Sequence, residues 1–201
     1  MTNFDQRAKD WDSDPKKVER ARIVAAAIRA GLPARPGLTG LEIGCGTGLL
    51  SFALQDDFAH ITLADTSQGM LEVLAAKIAD SGLGHFSPIR LDLARDPLPA
   101  SRFDATYSLM TLHHIPETDT FLRRSYETLN PGGQLFIADL DAEDGTFHTD
   151  GTSDVHLGFQ RDELQRQAAA VGFKNIQFST VFTIHKNNRD YPIFMLVAQK
   201  I

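Results

Sequence analysis

The sequence predicts an α/β protein with one doubly wound, mostly parallel sheet of seven strands whose last strand runs antiparallel. Three observations predict it. Apolar strand-like runs alternate with amphipathic helical stretches, which places helices on both faces of a parallel sheet. A glycine-rich loop, "GCGTG" at 44–48, follows the first of these runs and leads into a helical stretch. The chain closes on "NIQFSTVFTI" and "YPIFMLVAQK", joined by the short polar link "HKNNRD", which suits an antiparallel hairpin.

Each element has a local reason. Residues 15–30 form a helix: Asp14 caps it, Pro15 suits its first turn and Gly31 stops it. Val18, Ala21, Ala25 and Ile28 share its apolar face. "LTGLEIG" is the first strand and "GLLSFALQ" the helix after the glycine loop. "HITLAD" is the second strand. "SQGMLEVLAAKIADSG" is a helix capped by Ser67, with Leu71, Leu74 and Ile78 on one side. "FSPIRLDL" and "FDATYSLM" are the third and fourth strands. A helix after Pro116 carries Phe121, Leu122, Ser125, Tyr126 and Leu129 and ends at the "NPGG" turn. "QLFIADLD" is a fifth strand, apolar enough to be buried on both faces. "QRDELQRQAAAVGF" is a helix ended by Gly172.

The 201 residues fit one domain, long enough to bury a real core. No run approaches the ~18 apolar residues of a membrane span. The polar start, "MTNFDQRAKDWDSDPKK", is not a signal peptide, and the single cysteine, Cys45, allows no disulfide framework. A cytoplasmic protein is expected. Formal net charge is −6 and no Lys/Arg cluster stands out. Binding a phosphate backbone wants a basic footprint, so neither nucleic acid nor a membrane is an expected partner. No large apolar stripe is evident, which suits a monomer or a loose homodimer.

In such sheets ligands bind beyond the carboxyl ends of the strands. The residues that matter are therefore Gly44–Gly48, Asp65–Ser67, Asp92–Leu93, Ser108–His114 and Asp139–Asp141. A dinucleotide fingerprint, G-x-G-x-x-G, would need its third glycine at Leu49, so a nicotinamide-dependent oxidoreductase ranks low. Glu42 precedes the loop; a carboxylate there would repel a pyrophosphate and attract an ammonium group. Asp65, 21 residues after Gly44, can accept hydrogen bonds from both ribose hydroxyls. Asp92 can accept from an exocyclic amine, and Leu93 can offer its backbone N–H to a ring nitrogen. Together these describe an adenosine with an amino-acid tail, and S-adenosylmethionine fits. Taken singly, Asp65 or Asp92 could instead cap the helix that follows. A lone buried Cys45 is an inert small hydrophobe.

These stretches resemble the class I S-adenosylmethionine-dependent methyltransferases, in particular the small-molecule enzymes grouped with ubiquinone and menaquinone biosynthesis. "LEIGCGTG", "LADTS", "LDLARDPLP", "FDATYSLMTLHHI" and "LNPGGQLFIAD" match the family's motifs in order over residues 37–141. The resemblance implies a Rossmann-like sheet and S-adenosyl-L-methionine as cofactor, with S-adenosyl-L-homocysteine as product. It places Glu42, Gly44, Cys45, Gly46 and Thr47 on the methionine and ribose side, and Asp65 on the ribose hydroxyls. Thr66 and Met70 would lie beside the adenosine, Asp92 and Leu93 at the adenine, and Ser108 and Leu109 near the methionine amino group. It reads 1–35 as an N-terminal lid and helix, with Trp11 over the cofactor or in packing, and 141–159 as the substrate-pocket loop.

The acceptor is expected to be a small molecule reacting at O, N or C. Where a general base helps, His113, His114, Asp139 and Asp141 are candidates, with His114 facing the methyl side by resemblance. The loop 141–159 adds His148, Asp150, Asp154 and His156. Their spacing fits no ligand pattern, so no metal is expected; His148 or His156 would instead contact substrate. His185 and Lys186 are expected to be turn residues. A non-catalytic binder of the same nucleoside, a protein methyltransferase and a non-methylating enzyme using the same cofactor stay open as alternatives.

Overall fold

The computed structural model describes residues 3–148 and 156–201. The sheet grows outward from β1 (Thr39–Ile43), the strand that carries the glycine loop. β1 pairs in parallel with β2 (His60–Asp65) on one side and β4 (Phe103–Leu109) on the other. β3 (Phe86–Arg90) lies beyond β2, and β5 (Leu129–Leu140) beyond β4. β7 (Arg189–Gln199) runs antiparallel to β5, and β6 (Lys174–Lys186) closes the sheet against β7. The order is β3-β2-β1-β4-β5-β7-β6, with β7 alone reversed, as the sequence predicts.

The helices are α1 (Asn3–Arg7), α2 (Pro15–Gly31), α3 (Leu49–Ala53), α4 (Gln68–Ser81), α5 (Thr118–Thr128) and α6 (Arg161–Val171), with 3₁₀ turns at Ala8–Ser13 and Leu112–His114. The expected caps form. Asp14 accepts from the Lys16 N–H at 2.9 Å, and Ser67 from the Met70 N–H at 3.2 Å. Side chains α2, α3 and α4 contribute (Val24, Ile28, Leu50, Leu74) pack with Leu63, Tyr107 and Phe136 on one face of the sheet. Phe121 and Leu122 of α5 and Leu164 of α6 pack with Leu41, Ile43, Leu135 and Ile137 on the other. Each such buried side chain contributes roughly 1.5–3 kcal/mol. The two-residue period of β1 sends Leu41 and Ile43 to the second face and Glu42 to the first.

Three boundaries depart from the sequence reading. The third strand stops at Arg90 rather than Leu93, because the Asp92 carboxylate accepts from the Ala94 N–H at 2.9 Å and pulls the chain into a turn. The "NPGG" segment is part of β5, which bulges against β4 between Phe103 and Ala105. The last hairpin is tighter than expected: Asn187 and Asn188 take φ of 54° and 56°, so two residues rather than six reverse the chain.

Strand order reverses direction between β1 and β4. The exits of these two strands flank the crevice where ligands bind in such sheets.

Candidate functional site

The loop leaving β1 is built for close approach. Gly44 and Gly46 have φ of 68° and 52°, a region costly for residues with a side chain. At Gly44 a Cβ would lie 2.3 Å from Thr111 Cγ2, so this glycine lets the β1 exit pack on the β4 exit. At Gly46 a Cβ would meet nothing nearer than Met70 Sδ and Trp11 Nε1 at 3.9 Å, so that position is open toward the N-terminal segment.

Asp65, at the end of β2, holds the loop from the side. Its carboxylate accepts from the Gly46 N–H at 2.7 Å and from the Ser67 N–H at 2.8 Å. Burial pushes its pKa up against the pull of these bonds. Thr66 beside it is exposed, and Met70 is buried. Asp92 lies two residues beyond β3, its own N–H donating to Asp96 at 2.8 Å. Leu93 is buried and its carbonyl accepts from the Arg124 guanidinium.

The exit of β4 carries two anomalies. Ser108 is fully buried, and its hydroxyl has no hydrogen-bond partner among the described residues. Such an orphan costs about 1–3 kcal/mol and calls for an explanation. Leu109 is half-buried, and Met110 follows it with φ 54°, a strained conformation for a non-glycine residue.

Glu42, on the strand before the loop, is buried. Its carboxyl is 2% exposed and accepts from the Ser51 hydroxyl, which lies 2.9 Å from the Tyr107 hydroxyl. Burial pushes its pKa up to about 8, so at neutral pH it is largely protonated. The charge argument made for Glu42 from sequence therefore does not hold; glycine spacing alone argues against a pyrophosphate. Cys45 is buried too, and burial pushes its thiol well up, away from nucleophilic chemistry.

The N-terminal segment lies over this loop. Asp5 accepts from the Ser67 hydroxyl at 2.6 Å and from the Gly69 N–H at 3.0 Å, at the start of α4. Asp12 accepts from the buried Thr47 hydroxyl and pairs with Lys77 at 2.5 Å. The Trp11 ring carries the Lys17 ammonium 3.6 Å from its centroid.

Histidines gather beyond β4. His113 and Asp139 are both buried, with His113 Nδ1 2.6 Å from an Asp139 oxygen. Burial would raise the Asp139 carboxyl, but the His113 contacts outweigh it and hold it below the usual range. The His114 ring lies 4.0 Å from that of His113, and the His148 ring lies 5.2 Å from His113 and 5.5 Å from His114. His156 is bound to carbonyls of the same segment. Its Nε2 donates to the Ile115 carbonyl at 2.9 Å, and its backbone N–H to the His113 carbonyl at 2.8 Å. Asp141 is held by a bidentate Arg161 pair at 2.6 Å. Asp150 and Asp154 lie outside the described residues.

Comparison with known proteins agrees with this geometry. Residues 41–133 match a family model described as a methyltransferase domain. The chain is 31% identical over 113 residues to a ubiquinone biosynthesis O-methyltransferase of Marinobacter nauticus, covering 55% of this chain and 48% of that protein. It is 32% identical over 111 residues to a ubiquinone/menaquinone biosynthesis C-methyltransferase of Vibrio campbellii, covering 53% and 43%. Residues 41–133 are thus similar to a methyltransferase domain, and the similarity covers just under half of the chain. The chain spans about half the length of the curated relatives it matches. Two solved structures share the fold. One is a chain from the complex of the Haloferax volcanii Trm112 methyltransferase activator with a methyltransferase (TM-score 0.80, 17% identity, 99% of this chain and 98% of that one). The other is the [4+2]-cyclase SpnF (TM-score 0.74, 19% identity, 89% and 81%).

The structure brings Gly44, Gly46, Thr47, Asp65 and Met70 together around one loop, with Ser108 at the neighbouring strand. It gathers His113, His114 and His148 and turns the His156 ring to the Ile115 carbonyl. Sequence reasoning missed Asp5, Asp12 and Lys77, whose partners lie 30 or more residues away, and Thr111, whose packing on Gly44 has no local signature.

Proposed function

We propose that the protein transfers the methyl group of S-adenosyl-L-methionine to an O, N or C nucleophile of a small molecule, releasing S-adenosyl-L-homocysteine. One arrangement carries the reading: at a single switch point, a glycine loop pinned by Asp65 meets a strand exit bearing the unpartnered Ser108 hydroxyl. The names of the quinone-pathway relatives, which are O- and C-methyltransferases, support the same chemistry.

The cofactor's sulfonium would supply a methyl group already activated for displacement. The chain's own part is to bind and orient. Asp65 would accept from the ribose hydroxyls with the lone pairs that Gly46 and Ser67 leave, flanked by Thr66 and Met70. Asp92 and the Leu93 N–H would take the adenine edge. Gly44, Cys45, Gly46 and Thr47 would line the ribose and methionine side, and Ser108 and Leu109 would meet the amino end. Glu42, through Ser51 and Tyr107, would brace the loop from behind. The segment over the loop would act as a lid and move to admit the ligand. His114 and His148 would wall the acceptor side, with His114 placed to take a proton from the acceptor. Holding nucleophile and methyl in line supplies roughly 7–11 kcal/mol of barrier reduction.

The same proposal places the protein in the cytoplasm, as a monomer or loose homodimer. Among the described residues no helix is long and apolar enough to cross a membrane, and the large apolar side chains left exposed are Leu157 and Ile201. Release of S-adenosyl-L-homocysteine over a panel of acceptors tests the reading. The deciding experiment is calorimetric titration with S-adenosyl-L-methionine and S-adenosyl-L-homocysteine, with NAD as control. Micromolar binding of the first two and none of NAD is expected. Binding of NAD alone would refute the reading.

A further inference from the structure

The histidine cluster beyond β4 has a composition that acceptor packing alone does not require. His113 and His114 are adjacent in the chain, and the 3₁₀ turn at Leu112–His114 brings their rings onto the same side as His148 from the loop after β5. One ring nitrogen from each lies within 4.8 Å of the other two. We propose that His113, His114 and His148 form a binding site for a divalent transition-metal ion of the zinc class.

Three features carry this. First, the distances are short enough. In a tetrahedral site with metal–nitrogen bonds of ~2.0–2.1 Å, neighbouring nitrogens are ~3.4 Å apart. Ring rotations that move each nitrogen by about an ångström bridge that gap. Second, one ring is already oriented as metal-bound histidines are. The buried Asp139 carboxylate takes the Nδ1 side of His113 at 2.6 Å and also accepts the His113 backbone N–H at 3.3 Å. With the Asp139 carboxylate on its Nδ1 side, Nε2 is the His113 nitrogen left to face an ion, and a carboxylate behind a ligating imidazole raises its basicity. Third, the surroundings are apolar. The Phe147 ring meets His148 edge-on at 4.9 Å, and the Phe4 ring meets His114 edge-on at 5.2 Å. Three imidazoles select zinc, cobalt, nickel or copper over magnesium and calcium, which want oxygen.

Three protein ligands leave a fourth position open, the pattern of catalytic rather than structural sites. Its use rests on the methyl-transfer reading: at the acceptor side, the ion would bind an acceptor oxygen or other nucleophile and lower its pKa, so that its proton passes to solvent before the methyl group is transferred. His114 would then hold the acceptor through the ion rather than take its proton.

The test uses tag-free, chelator-stripped full chain. Zinc is titrated by calorimetry, and cobalt by its visible absorption bands. One ion per chain is expected, with the cobalt spectrum lost in His148→Ala and in His114→Ala. Asp139→Asn, checked for folding by its thermal melt, should weaken zinc binding 10–100-fold. Absence of binding, or equal affinity and stoichiometry in native protein and His148→Ala, would overturn the site. Binding of S-adenosyl-L-methionine is measured on the same stripped protein. Cofactor binding without zinc binding removes the metal site alone, and zinc binding without cofactor binding removes the methyl-transfer reading alone.

Discussion

Glu42 offers a quantitative test of the site's electrostatics. Its carboxyl is buried against Ser51, and its pKa stands at about 8 in the folded chain against an ordinary value of 4.5. A group whose pKa is raised by folding stabilises the protein fully below its unfolded pKa, and that contribution is lost as pH rises through the folded value. Between pH 4.5 and 8 the folded chain holds a proton that the unfolded chain has released, so stability falls by up to ~1.4 kcal/mol per pH unit, ~5 kcal/mol in all. Glu42→Gln keeps an acceptor for the Ser51 hydroxyl and removes the titration. Urea unfolding of both proteins at pH 5.5 and 7.5 reads the difference. Relative to the variant, the native chain should lose about 2–3 kcal/mol across that window, roughly 1 M in urea midpoint. Midpoints that move in parallel would show that Glu42 is ionised or solvated in the folded state, and the charge argument from sequence would return.

Three further outcomes follow from named contacts. Asp65→Ala should weaken S-adenosyl-L-methionine binding at least about tenfold, since it deletes a partly buried charged acceptor; unchanged affinity in calorimetry would take Asp65 out of the site. Gly44→Ala should destabilise the fold by about 2–4 kcal/mol, because its φ is 68° and the new Cβ would meet Thr111 at 2.3 Å, whereas Gly84→Ala, with nothing within 4 Å, should be neutral in the same melt. Asp5→Ala should raise the association rate of S-adenosyl-L-methionine severalfold, followed through the fluorescence of Trp11, the single tryptophan; an unchanged rate would mean that the segment does not gate the site.

The fold was legible because its signals are local. Asp14, Pro15 and Ser67 mark helix starts, Gly82 and Gly172 end α4 and α6 in left-handed conformations, and the apolar runs set the strands. The misplaced boundaries are those decided by side chains competing with the backbone, as at Asp92, or by two asparagines accepting positive φ. Of the strand exits named from sequence, those of β1, β2 and β4 lie side by side, since Asp65 holds Gly46 and Thr111 packs on Gly44. Chemical state was less legible. Nothing near Glu42 in sequence announces that Ser51 and Tyr107 will enclose it. The loop histidines looked equivalent until His156 was found bound to carbonyls and His148 beside His113.

The N-terminal segment sets how the site is read in this conformation. Asp5 places an anion on the Gly69 N–H and the Ser67 hydroxyl at the positive end of α4, beside the Asp65 carboxylate that would take a ribose. Asp12 ties the same segment to Thr47 and Lys77 on the far side of the loop. If the segment is the proposed lid, closure and ligand entry draw on neighbouring groups, and any closed population lowers apparent affinity by the fraction of molecules left open. If the Asp5 and Asp12 contacts together favour closure by ~2 kcal/mol, as a few partly exposed charged hydrogen bonds would, that reduction is roughly thirtyfold. A cofactor titration of native protein alone then reports the lid as much as the pocket. Comparison with Asp5→Ala separates them, since the variant changes the open fraction and leaves Asp65, Ser108 and the glycine loop in place.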